Sequence, residues 1–163
     1  MRFLALGYLL FVVGCCGYST HSLLPSHLKT VAVPPATNTT TQPGLDQALT
    51  DSLTAAFASD RTLHVTNVEA ADLVVNTTVS SYTRTPAAYT GGDTTGNQAV
   101  TAYNLGLGAQ VDARDQTRNE EFYSGFVSAQ VTYNPSTKTE EQAAAEAVKK
   151  LASEIVRQVL IAW

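Results

Sequence analysis

Two long alternating segments near the middle of the chain constrain its fold more than any other feature. Tyr103, Leu105, Leu107, Ala109, Val111 and Ala113 fall on one side of an extended backbone; Ala102, Asn104, Gly106, Gly108, Gln110, Asp112 and Arg114 fall on the other. Side chains alternate across a strand, so this pattern predicts one buried face and one polar face. Residues 122–133 repeat it, with Tyr123, Val127, Ala129, Val131 and Tyr133 as the apolar set. The residues between them, 115–119 (DQTRN), are polar. Two such strands joined by a short polar link predict an antiparallel hairpin. Its apolar face then needs an amphipathic cover from elsewhere in the chain.

Two segments supply that cover. In residues 43–58, Leu45, Ala48, Leu49, Ser52, Leu53, Ala56 and Phe57 recur at three- and four-residue steps, and Pro43 suits the first turn of a helix. Near the C-terminus, Ala144, Val148, Leu151, Ile155 and Val159 form a second stripe, preceded by Thr139-Glu140-Glu141-Gln142. That tetrapeptide resembles a capping box, with acidic residues where the helix dipole favours them. Residues 29–33 (KTVAV) read as a short strand ended by Pro34-Pro35, and residues 36–42 as a loop. Residues 63–65 read as a second short strand. Residues 71–85 contain a longer strand in which Leu73, Val75, Thr77 and Val79 share a face. Residues 86–97 (PAAYTGGDTTGN) read as an excursion loop. The order β-α-β-β-β-β-α predicts an α+β two-layer sandwich, with two helices on one face of a mainly antiparallel sheet. The first strand is expected to pair in parallel with a neighbour, because a helix follows it.

The chain has 163 residues, a length that suits one domain. The expected division is a signal peptide over 1–14, a lipid-anchored tether over 15–28, and a single α+β domain over 29–163. Residues 3–13 (FLALGYLLFVV) are continuously apolar and follow Arg2. As a helix they span roughly 16 Å, against about 30 Å of hydrocarbon, so they have the length of a signal-peptide core and do not cross a membrane. Val12-Val13-Gly14-Cys15 then resembles a bacterial lipobox. The small Gly14 favours Cys15 as the acylated residue, with Cys16 as the alternative. Two or more acyl chains on that cysteine give stable anchoring. Cys16 as the second mature residue is not Asp, so the outer membrane is the expected destination.

A search for chemistry returns little. Net charge is −4, which argues against a general nucleic-acid surface. Gly106 and Gly108 sit inside a strand pattern and lack the Lys-Ser/Thr signature of a phosphate loop. There is no His-Glu-x-x-His and no Cys-x-x-Cys, so no metal site is expected. Ser and Thr are plentiful, yet no His is placed to activate one, so no catalytic residue is assigned and the protein reads as a non-enzyme. His21 and His27 read as solvated loop residues. Binding remains. Arg114 and Arg118 flank the hairpin turn and could act together on an anion, whereas Arg84 ends the preceding strand at the opposite end of the sheet.

One combination of segments carries a family resemblance. Cys16-Gly17-Tyr18 follows the signal; LPSHLKTVAVPP occupies residues 24–35; Pro43-Gly44-Leu45 opens a helix. Ala71-Asp72-Leu73-Val74-Val75 and Ser80-Ser81-Tyr82-Thr83-Arg84-Thr85-Pro86 follow. In this order they resemble the LptE family of lipopolysaccharide-assembly lipoproteins. The resemblance implies two helices on a four-stranded sheet and an outer-membrane lipoprotein facing the periplasm. It also implies a partner, the LptD β-barrel translocon, which the family member plugs and helps to assemble while binding lipopolysaccharide. The family's Cys-Gly-Tyr places the lipid on its own cysteine, here Cys16, one position from the lipobox choice. Apart from the covalent lipid no cofactor is expected. A periplasmic lipoprotein scaffolding another envelope or secretion complex is the alternative. The neutral residues Thr78, Ser80, Asn104, Gln110, Ser124, Ser128 and Gln130 would form the face a plug turns to a barrel lumen, and the loop at 86–97 would reach further in.

Overall fold

The computed structural model describes residues 24–91 and 99–162. The signal peptide, Cys15, Cys16 and the far part of the 86–97 segment lie outside them. Six strands and two helices follow in the order β1 (Thr30–Ala32), β2 (Thr37–Asn38), α1 (Leu45–Asp60), β3 (His64–Val65), β4 (Leu73–Tyr89), β5 (Val100–Asp115), β6 (Glu120–Tyr133) and α2 (Glu140–Ile161). A single turn of 3-10 helix, Val68–Ala70, leads into β4. The sheet order is β3-β1-β4-β5-β6, with β2 also on β4. β4, β5 and β6 form an antiparallel meander. β1 pairs in parallel with both β3 and β4, as expected of a strand followed by a helix.

Both helices cover one face of the sheet. Leu49, Leu53 and Phe57 of α1 and Leu151, Ile155 and Val159 of α2 are essentially inaccessible. They pack into one core with Leu73, Val75, Val79, Leu105, Val111 and Val131 of the strands. Burying a side chain of this size contributes about 1.5–3 kcal/mol, so the alternating hairpin and the two stripes together dominate the fold.

Four local details differ from the sequence reading, each for a backbone reason. α1 begins at Leu45 rather than Pro43, because Gly44 adopts φ +78 as the N-cap and Pro43 precedes it. β2 lies in the segment read as a loop. It pairs only through its backbone, with Thr78 and Val79, so no side-chain periodicity announces it. β4 runs on to Tyr89, and residues 86–89 are strand rather than loop. Pro86 is tolerated because the register shifts beside it and β4 has no neighbour there except β5. Finally, the register shifts between Val79 and Ser81, leaving Ser80 unpaired. This bulge inverts the alternation, so Tyr82 and Arg84 fall on the helix side and Ser81 and Thr83 on the open side.

The segment at 24–28, read as the end of the tether, is part of the domain. Leu28 is buried and Leu24 packs against the core.

Candidate functional site

The sheet face away from the helices is uncovered except at Val74, which is buried with Ala32 and Ala71, and the strand register sets out its side chains in rows of three across β4, β5 and β6. From the hairpin turn outward these are Val74-Arg114-Glu121, Asn76-Asp112-Ser124, Thr78-Gln110-Phe126, Ser81-Gly108-Ser128, Thr83-Gly106-Gln130 and Thr85-Asn104-Thr132. Four consecutive rows, the third to the sixth, carry no charged side chain. The charges are confined to the two rows nearest the turn. There Ser124 donates to Asp112 at 2.6 Å, and Arg114 donates to the Asn119 Oδ1 at 2.9 Å. Thr132 donates to Asn104 at 2.6 Å in the outermost row.

Phe126 departs from this polar surface. It is 57% exposed. A Cβ on Gly108 would clash with the tip of its ring, at Cζ and Cε2, and a Cβ on Gly106 would lie 2.7 Å from the Thr83 Oγ1. At these two glycines, therefore, the side chains of Phe126 and Thr83 lean over bare backbone. The result is a shallow depression of about 240 Å³ with Gly106 and Gly108 in its floor and Phe126 as one wall.

The hairpin-turn end holds two ordered carboxylates. Asp115 is buried, and its Oδ2 lies 2.5 Å from the His27 Nε2 while its Oδ1 accepts the Arg118 backbone N–H at 3.0 Å. Burial alone would raise its pKa; the His27 hydrogen bond and the backbone N–H groups of Arg118 and Thr117 outweigh burial and hold it below the usual value. The Asp72 Oδ2 accepts the backbone N–H of Lys29, the backbone N–H of Thr30 and the Thr30 hydroxyl at 2.8–3.0 Å. The Lys29 N–H is the main cause of its lowered pKa. His27, read as a solvated loop residue, is thus a partner of a buried carboxylate. The pairing spans 88 positions, so no local sequence signal could have revealed it.

The three arginines separate as the meander requires. Arg114 and Arg118 share the hairpin, where Arg118 lies 3.6 Å from Glu120. Arg84 pairs across from Leu105, nine residues along β5 from Arg114, or about 30 Å at the rise of a strand. It stacks 3.9 Å over the Tyr103 ring, donates to the Tyr133 hydroxyl at 2.9 Å and lies 3.4 Å from Glu140 at the start of α2. Tyr82 donates to the same carboxylate at 2.7 Å. Beyond this cluster β6 ends, and residues 86–89 and 100–102 continue as a two-stranded ribbon without a charged residue. Among the described residues no group of acidic, His and Cys side chains could hold a metal ion. No helix among them is long and apolar enough to cross a membrane.

Against known proteins, the family model described as lipopolysaccharide-assembly, LptE, matches residues 28–159. The chain belongs to the LptE family. The match runs from Leu28 almost to the end of α2, and so takes in every strand and both helices. Among curated proteins the comparison finds no match. Solved structures share the fold at low identity. A hypothetical protein from Chlamydia trachomatis superposes with TM-score 0.60 at 12% identity, over 81% of this chain and 95% of that one. An uncharacterized lipoprotein B from Nitrosomonas europaea gives 0.54 at 15% identity, over 84% of each chain. A minor lipoprotein from Acinetobacter baumannii gives 0.51 at 16% identity, over 81% of this chain and 92% of that one. At such identities the likeness concerns the fold alone. The sheet holds four longer strands, β1, β4, β5 and β6, together with the two-residue strands β2 and β3, where the resemblance implied four.

Proposed function

We propose that this protein is an outer-membrane lipoprotein, acylated at Cys15 or at the adjacent Cys16, that plugs an LptD-type β-barrel. In that position it assists insertion of lipopolysaccharide into the outer leaflet. It acts by binding and assembly, without catalysis.

The observation that carries this reading, given the family, is the uncovered sheet face with its four uncharged rows. A lumen that passes a hydrophilic saccharide needs a lining that exchanges hydrogen bonds with water and sugar. Hydroxyl and amide side chains do this without the desolvation cost of fixed charge. The uncharged ribbon at 86–89 and 100–102 extends the same surface beyond the helix layer. At the other end, the exposed guanidinium groups of Arg114 and Arg118 face anionic parts of the lipid, Arg118 beside Glu120 as Arg84 is beside Glu140. The test is a crosslinked pull-down of the native membrane-anchored protein with mass spectrometry. A large outer-membrane β-barrel accompanied by lipopolysaccharide supports the reading. Secretion or peptidoglycan proteins without such a barrel reject it in favour of a scaffold role.

A further inference from the structure

Phe126 is the one aromatic in the six rows of the open face, and its surroundings select among ligands. Its ring leans across the backbone at Gly108, so bare peptide supports it from below and one side of it faces out. Beside it, the floor of the depression continues over Gly106, and exposed Thr83, Ser128 and Gln130 supply hydroxyl and amide groups around the rim. The depression holds no charged side chain, so it offers nothing to compensate a buried phosphate or carboxylate. It is too polar at its rim, and too shallow at about 240 Å³, to enclose an acyl chain. One apolar wall and a rim of neutral donors and acceptors match a molecule with one apolar face and a rim of hydroxyls. A neutral pyranose has that shape: its axial C–H bonds form one face, and its hydroxyls radiate from the edge.

We infer that the depression at Phe126, Gly106 and Gly108 is a subsite for a neutral hexose of the lipopolysaccharide saccharide. The sugar's C–H face lies on Phe126, and Thr83, Ser128 and Gln130 bond its hydroxyls. The inference rests on the plug reading for its choice of saccharide. It makes the open face a track for the sugar portion and separates that role from any contact between Arg114 or Arg118 and phosphate. Gly108 has a defined part: a side chain there would lift the ring from the sheet and close the floor.

The test is saturation-transfer NMR on the full lipidated chain in detergent micelles. The probe is lipopolysaccharide core oligosaccharide, deacylated and dephosphorylated. The neutral oligosaccharide should bind. Phe126→Ala should weaken binding at least tenfold, Phe126→Tyr should keep it, and Gly108→Ala should weaken it. Melting curves of all three variants must match the parent, since Phe126 lies outside the core. Binding that requires the phosphates overturns the inference, as does a Phe126→Ala variant that binds the neutral sugar like the parent. So does a Phe126→Ala variant that loses capture of the barrel and keeps the sugar, because the ring would then face the barrel wall. If the neutral sugar binds through Phe126 and the native pull-down yields no barrel, the subsite stands and the plug reading falls.

Discussion

Asp72 joins the start of β4 to β1 through one oxygen that accepts two backbone N–H groups and a hydroxyl. Hydrogen bonds to a charged acceptor are each worth about 1.5–3 kcal/mol, and exposure of this one reduces the sum. Asp72→Ala should therefore cost about 2 kcal/mol in urea denaturation at neutral pH. The folded pKa is depressed, so this stability is fully present above the ordinary carboxylate value of about 3.9 and is lost as pH falls through the folded value. The gap between parent and variant should shrink as the pH is lowered past that range; a gap that holds constant down to pH about 2 would contradict the assignment. At this scale the sequence was only partly informative. Arg114 and Arg118 could be placed at a turn because the turn is local. The contacts of His27, Arg84 and Asp115 depend on chain segments dozens of residues apart, and residue type alone does not reveal them.

Among the elements, α2 was the most legible, because its start and its stripe are both written in contiguous residues. The Thr139 side chain accepts the Gln142 N–H, and the Gln142 side chain accepts the Thr139 N–H. Replacing Thr139 by Ala should cost about 1 kcal/mol, and Thr139→Ser should restore most of it. Thermal melts of the two variants measure the difference, and equal melting points would show the cap to be idle. β5 and β6 were legible for the same reason, since a period of two is a local pattern. β4 was legible only to its midpoint. Past Ser80 the bulge reverses which residues are buried, and Pro86 looks like a terminator although an edge position tolerates it. The two-residue β2 leaves no pattern, because its pairing is made by peptide groups that every sequence has.

As a whole the described residues form two layers, a sheet and the two helices on one of its faces. β5 alone has 16 residues, about 50 Å of strand, and its two ends differ in chemistry. The turn end carries Arg114, Arg118 and the His27–Asp115 pair. The far end carries the neutral ribbon. One side is closed by the helices, and the other is open and uncharged over most of its length. The two-layer architecture could be read from the stripes and the hairpin together. That the open face is divided into a charged part and a neutral part became visible only with the register, which aligns three strands residue by residue. The central claim is that this open face is turned into a β-barrel. Photo-crosslinking in cells tests it most directly, with the crosslinking residue placed at Thr85 or Thr132 on the open face and, for comparison, at Lys149 on α2. Adducts from Thr85 and Thr132 with a large outer-membrane β-barrel are predicted. Barrel adducts from Lys149, with none from either open-face position, would contradict it.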